Sequence, residues 1–116
     1  MLQVPKRIYI AGPISIGDTA VHVRNAIDAA ELLIVYGFVP YIPHLTHFWH
    51  FVHPHDLKFW LDYDLEWLSL CDALLRLPGE SKGSEIEIEH AKILGIPVFY
   101  NILDLYRYFE NSNQEQ

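Results

Sequence analysis

Short apolar runs alternate with longer amphipathic stretches along this chain, and the spacing within each names its element. Arg7 to Ala11 (RIYIA) reads as a buried strand, stopped by the breaker pair Gly12-Pro13. Asp18 or Thr19 can cap a helix running to Tyr36. In it Val23, Ala26, Ile27, Ala30, Leu33 and Ile34 recur at the i, i+3, i+4, i+7 spacing of one buried stripe, and Gly37 stands just past its end. Phe38 to Ile42 is the next predicted strand, with Pro40 favouring an edge position. His44 to His55 reads as a long loop rich in histidine and aromatic residues. A second helix is predicted from about Asp56 to near Cys71, and a third strand over Ala73 to Leu77. The loop Pro78 to Ser84 leads into a third helix, from Ser84 or Glu85 to Leu94. Ile96 to Tyr100 is the fourth strand and Leu103 to Phe109 a closing helix. Residues 1–110 then form one domain, and the polar stretch Asn111 to Gln116 reads as a frayed tail.

Strands that alternate with helices imply a parallel sheet covered on both faces. The expectation is a single-domain, three-layer α/β sandwich of flavodoxin-like or Rossmann-like type, with four to five parallel strands, right-handed crossovers and strand order 2-1-3-4. In such a sheet ligands bind beyond the C-terminal ends of the strands, where the strand order reverses. That point lies between strands one and three, where the segments Gly12 to Gly17 and Pro78 to Ser84 meet. Both are rich in glycine and serine.

Two acids fall on the wrong faces of their helices. On the third helix Glu85, Glu89 and Lys92 share a solvent arc, whereas Glu87 sits within the arc of Ile86, Ala91 and Leu94. On the second, Lys58, Asp62 and Glu66 face away, whereas Asp64 lies among Leu57, Trp60, Leu61, Leu65, Trp67, Leu68 and Cys71. An inward carboxylate is costly unless it is paired or used. Arg24 or Arg76 are available for pairing, which would make either acid structural. Two inward acids on helices that flank the predicted crevice point instead to a site. A carboxylate pair suits glycosidic chemistry, in which one group attacks the anomeric carbon and the other protonates the leaving group.

Net charge narrows the ligand. With a formal charge of −7 over 116 residues, the chain is ill suited to a nucleic-acid polymer, whose binding rests on Lys and Arg. A single nucleotide is not excluded, because helix N-termini and a few side chains can hold it. The single cysteine, Cys71, sits in an apolar run, reads as a core thiol and fits a reducing, cytoplasmic compartment. No apolar run reaches transmembrane length and no leader pattern is seen, so no membrane partner is expected. The glycine-bearing segments match neither the dinucleotide fingerprint nor the P-loop, and no cofactor is expected.

Three motifs carry a family resemblance. Tyr9-Ile10-Ala11-Gly12-Pro13-Ile14 resembles the opening strand and loop of nucleoside 2-deoxyribosyltransferases and of 2′-deoxynucleoside 5′-monophosphate N-glycosidases. Asp64-Leu65-Glu66-Trp67-Leu68 with Cys71-Asp72-Ala73 is similar to their second-helix motif. Ser81-Lys82-Gly83, then Glu87, then Ala91, matches their nucleophile segment. The resemblance implies Glu87 as nucleophile, Asp64 as general acid or orienting carboxylate, and Tyr9 as the hydroxyl that positions the nucleophile. It implies Gly12, Ile14, Ser15 and Gly17 as a substrate loop, and Ser81, Gly83 and Ser84 around a 5′-phosphate. Transferases tend to carry an acid at the position of Ser81, which favours a phosphorylated substrate. The hydrolases often carry arginine where this chain has Ser15. A homodimer or higher homo-oligomer is also implied, and the small core and many aromatic residues agree with it.

The expected activity is therefore hydrolysis of the N-glycosidic bond of a (deoxy)nucleoside 5′-monophosphate to free base and (deoxy)ribose 5-phosphate. Base exchange by a deoxyribosyltransferase, or a non-catalytic nucleotide-binding module, are the alternatives. His44, His47, His50, His53 and His55 have spacings that suit zinc, but their setting among Pro43, Pro54 and aromatic residues favours a lid over a base or a dimer contact, and no metal site is expected.

Overall fold

Among residues 4–114, which the computed structural model describes, four strands and five helices follow one another. They are β1 (Arg7–Ala11), α1 (Thr19–Val35), β2 (Val39–Tyr41), a 3-10 turn (Pro43–Leu45), α2 (Thr46–Val52), α3 (Leu57–Leu68), β3 (Ala73–Arg76), α4 (Lys82–Ile93), β4 (Val98–Phe99) and α5 (Ile102–Gln114). The sheet order is β2-β1-β3-β4 and every pairing is parallel, as the alternation of elements predicts.

The strands' period of two sorts their side chains into two cores. Ile8 and Ile10 of β1, with Ala73 and Leu75 of β3, meet Ala26, Ala30 and Leu33 of α1 and Leu105 and Phe109 of α5. Tyr9, Ala11 and Leu74 point the other way, to Leu68 of α3 and to Ile88 and Ala91 of α4. Burial on both faces explains why β1 and β3 read as unbroken apolar runs. Tyr9 therefore emerges on the α3/α4 side, which bears on the site.

Helix starts are set by side-chain caps. Asp18 accepts from the amides of Ala20 and Val21, Asp56 from Phe59, and Ser81 from Ser84. Because Ser81 is the cap, α4 begins at Lys82, earlier than Ser84 or Glu85. Gly37 takes φ +90 just beyond α1, a conformation costly for any residue with a Cβ.

Four expectations need correction. The segment 44–55 is not one loop: it holds the 3-10 turn and α2, closed by the bond of the Thr46 hydroxyl to the Pro43 carbonyl at 2.8 Å and by Trp49 packing edge-on against Trp60 and Tyr63. Helix α3 ends at Leu68, where the Ser69 hydroxyl turns back to the Leu65 carbonyl. The buried arcs are narrower than the apolar stripes, because a sheet this small covers only one side of each helix. Ile27, Ile34, Leu57, Trp67, Ile86 and Leu94 are exposed, Cys71 is only half-buried, and α4 buries Ser84, Glu87, Ile88 and Ala91. The predicted tail is partly helical: residues 111–114 continue α5, and residues 115–116 lie outside the described residues.

Candidate active site

The loops after β1 and β3 lie in direct contact. Gly79 has φ +120, and a Cβ placed there would stand 2.7 Å from the Pro13 ring, so only glycine lets the two segments approach this closely. Beside them, at the C-terminal ends of the strands, opens a cavity of about 460 Å³. The β1–α1 loop contributes Gly12, Ile14 and Ser15, and the first turns of α4 contribute Ser81, Gly83, Ser84 and Glu87. Asp64, Trp60 and Leu61 come from α3, and His44, Thr46, His47, His50 and His55 from the segment between β2 and α3. A smaller hollow of about 220 Å³ lies beside α5, between Lys6, Tyr36, Phe38 and Phe109, away from both inward acids.

Glu87 is 6% exposed and its Oε2 accepts a hydrogen bond from the Tyr9 hydroxyl, which is itself wholly buried. Burial pushes the Glu87 carboxyl up to about 8; the Tyr9 hydrogen bond pulls it down, the neighbouring Asp64 raises it and Arg76 lowers it. Burial likewise raises Asp64 to about 7, against the pull of the Tyr41 phenol. Among the described residues neither acid is paired with an arginine. Arg76 is occupied by the carbonyls of Leu77 and Gly79 and by Glu85 at 3.4 Å, and Arg24 lies beside Asp28 at 3.9 Å on the outer face of α1.

Unpartnered polar atoms concentrate in this cavity. Among the described residues, both ring nitrogens of His44, Oδ1 of Asp64 and Oγ of Ser84 are buried without a hydrogen-bond partner. Each such atom costs roughly 1–3 kcal/mol unless something answers it. All three residues line the same cavity. Burial lowers the His44 imidazole from its usual value, with the backbone of Pro13 and Gly12 pulling the other way.

Most residues singled out in the sequence meet here. Tyr9 stands behind Glu87, in the sheet. Gly17 is the exception: it is exposed and outside the cavity, in a loop held by His22 bonding the Ile16 carbonyl at 2.6 Å. Ser81 both lines the cavity and caps α4, its hydroxyl accepting from the Ser84 amide at 3.1 Å. Tyr41, His44 and Trp60 were not marked as site residues by the sequence pattern. For His44 the available signal was its place just past the end of β2, beside the point where the strand order reverses.

Among the described residues no group of three or more His, Cys, Asp or Glu side chains is disposed to hold a metal ion. His50 is engaged otherwise, its Nδ1 accepting from Trp60 Nε1 at 2.7 Å and from the His55 amide at 3.2 Å. No described helix is long and apolar enough to cross a membrane.

Solved structures share this architecture. A 2-deoxyribosyltransferase from Bacillus psychrosaccharolyticus superposes with a TM-score of 0.59 at 22% identity, over 79% of this chain and 69% of that one. A conserved protein from Enterococcus faecalis V583 gives 0.64 at 22% identity, over 82% and 62%. A 2-deoxyribosyltransferase from Leishmania mexicana gives 0.60 at 25% identity, over 81% and 62%. The chain thus spans between 62% and 69% of the length of these structures and has their fold. No curated protein matches the sequence. Residues 6–101, which include every strand and all the cavity-lining side chains, match one family throughout, and the chain belongs to that family, described as Domain of unknown function (DUF7768).

Proposed function

We propose that this chain cleaves the N-glycosidic bond of a (deoxy)nucleoside 5′-monophosphate, releasing the base and (deoxy)ribose 5-phosphate. The observation that carries the reading is the pair of inward carboxyls, Glu87 and Asp64, in one cavity, with the Tyr9 phenol bonded to Glu87. In this reading Glu87, ionised, attacks the anomeric carbon while Asp64, protonated, gives its proton to the departing base. Water then displaces the glycosyl group from Glu87, losing its proton to the now ionised Asp64. With Glu87 near 8 and Asp64 near 7, the single proton of the pair rests mainly on Glu87 in the free protein, and substrate binding has to move it to Asp64 to reach the working form. The 5′-phosphate would lie at the N-terminus of α4, against Ser81, Gly83 and Ser84. The deoxyribosyltransferases that share the fold support a substrate of the nucleoside class.

One observation favours a second reading. Among the described residues no lysine or arginine lines the cavity where a phosphate dianion would lie. A nucleoside with a free 5′-hydroxyl, and a second base as acceptor, would suit it. Incubation with deoxynucleoside monophosphates and with nucleosides, each with and without an added free base, separates the cases by chromatography. Base release from the monophosphate alone supports hydrolysis, and base exchange on the nucleoside supports transfer. Binding with neither product leaves a non-catalytic module and refutes the enzymatic reading.

A further inference from the structure

Helix α3 lays Leu57, Trp60, Leu61 and Asp64 along the cavity. Their spacing, i, i+3, i+4 and i+7, is one face of a helix. The wall therefore passes from a carboxyl to aromatic and apolar surface within one turn, about 6 Å at 1.5 Å per residue. A base that takes its proton from Asp64 would lie along this wall, with its far edge towards Trp60.

His50 of α2 stands at that end, and its ring lines the cavity. Its Nδ1 accepts from the indole Nε1 of Trp60 at 2.7 Å and from the His55 amide at 3.2 Å. Both partners can only donate, so Nδ1 holds a lone pair and the ring hydrogen sits on Nε2. Among the described residues no hydrogen bond or ion pair takes up that Nε2 hydrogen. The indole that orients His50 is itself packed edge-on against Trp49 at 5.3 Å and Tyr63 at 5.8 Å. The ring of His55 also lines the cavity but lies flat on Phe59, at 3.9 Å and 18°. The direction and tautomer of His50 are thus set before any ligand arrives.

We propose that His50 reads the edge of the base remote from the glycosidic bond. A fixed N–H there selects bases with a carbonyl on that edge (thymine, uracil, guanine, hypoxanthine) over those with an amine (cytosine, adenine), which would meet it donor to donor. The proposal rests on the reading of the cavity as a nucleotide or nucleoside site, and it names the class of base.

The test uses the full chain labelled with ¹⁵N-histidine. In the free wild-type protein, long-range ¹H–¹⁵N spectra should show His50 with its hydrogen on Nε2 and Nδ1 bare. Binding is then measured in Glu87→Gln, which stops turnover, with dTMP, dCMP, dGMP, dAMP and the matching deoxynucleosides as probes. Thymine should bind roughly 10- to 100-fold more tightly than cytosine, and guanine than adenine, the scale of one hydrogen bond gained against one donor left unmatched. The keto probes should also shift the His50 Nε2–H signal. His50→Phe in the same background should bring both ratios to within about threefold. Trp60→Phe keeps an aromatic wall but removes one donor to Nδ1, and should lower the ratios and populate the other tautomer. The tautomer and the probe series need no change at His50, so they decide even if that variant does not fold. A hydrogen on Nδ1, or equal or reversed binding of keto and amino probes, overturns the proposal and leaves the glycosidic reading standing. Keto preference without turnover of any probe by the wild type overturns the enzymatic reading and leaves the role of His50 in binding. Binding of no probe removes both.

Discussion

Tyr9, on the central strand β1, donates its hydroxyl to the carboxylate of Glu87, 78 residues further along the chain on α4. Removing that donor should raise the Glu87 carboxyl further above its already elevated value. Tyr9→Phe is therefore expected to shift the high-pH limb of the rate profile, which follows the higher-titrating Glu87, upward by roughly one unit, and to slow turnover near neutrality about tenfold. A pH–rate series on the folded variant checks this.

Glu87→Gln should abolish base release, because an amide cannot act as the nucleophile. It should also change stability in a direction set by proton linkage. The folded-state value of Glu87 lies near 8, against 4.5 for the free side chain, so between these limits the folded protein holds the extra proton. The benefit of burying the neutral acid is complete below about pH 4.5 and is lost as the pH rises through about 8. Each pH unit between those limits removes about 1.4 kcal/mol, so the glutamine variant should be more stable than wild type at pH 9 by up to about 5 kcal/mol, and by little at pH 4. Urea unfolding at the two pH values gives the comparison. A gap that does not widen with pH would mean that Glu87 is not buried as described.

Asp64→Asn should lower turnover by roughly 10²- to 10⁴-fold, the scale of a lost acid–base group. Among the described residues no arginine or lysine is paired with Asp64, and burial holds its carboxyl up at about 7, so the neutral amide should raise rather than lower the melting temperature at neutral pH. Lost stability with unchanged turnover per folded molecule would make Asp64 structural.

The phosphate reading turns on Ser81. Changing it to alanine would remove the cap of α4 and cost about 1 kcal/mol, confusing the result. Ser81→Asp keeps a capping oxygen and adds a negative charge. It should weaken turnover of the monophosphate by roughly 10- to 100-fold while the matching nucleoside is little affected. Equal effects on both substrates would place the 5′ end elsewhere.

The proposed homo-oligomer has a physical basis in side chains left uncovered. Trp49 folds back onto Trp60 and Tyr63, but Phe48 and Phe51 on the same short helix stay 66% and 80% exposed. Sedimentation at micromolar concentration should give a mass at least twice 13.5 kDa. A fully active monomer would refute the assembly.

The fold was legible because burial on both faces leaves unmistakable apolar runs at β1 and β3, and the alternation of elements then dictates a parallel sheet. Glu87 and Asp64 were legible for the opposite reason, as charges on stripes that should be apolar. The edges of those stripes were less so: Ile27, Leu57 and Ile86 carry hydrophobic side chains that the narrow sheet does not reach. Helix α2 escaped the pattern because it buries no residue, so periodicity had nothing to report. His44 and Tyr41 depend on how the chain turns after β2, a three-dimensional fact that residue spacing does not encode.

Pro40 bears on how copies of this chain can meet. The Val39 amide bonds inward, to the Lys6 carbonyl at 2.9 Å, so the next residue's nitrogen points to the open side of β2, and there proline offers no hydrogen. The opposite border, β4, is two residues long. Neither margin offers the row of free amides and carbonyls along which a further strand would zip. A continuous sheet running from one molecule into the next is thereby discouraged, and contact between copies is left to the helices, whose uncovered apolar side chains can join two molecules without templating a fibre.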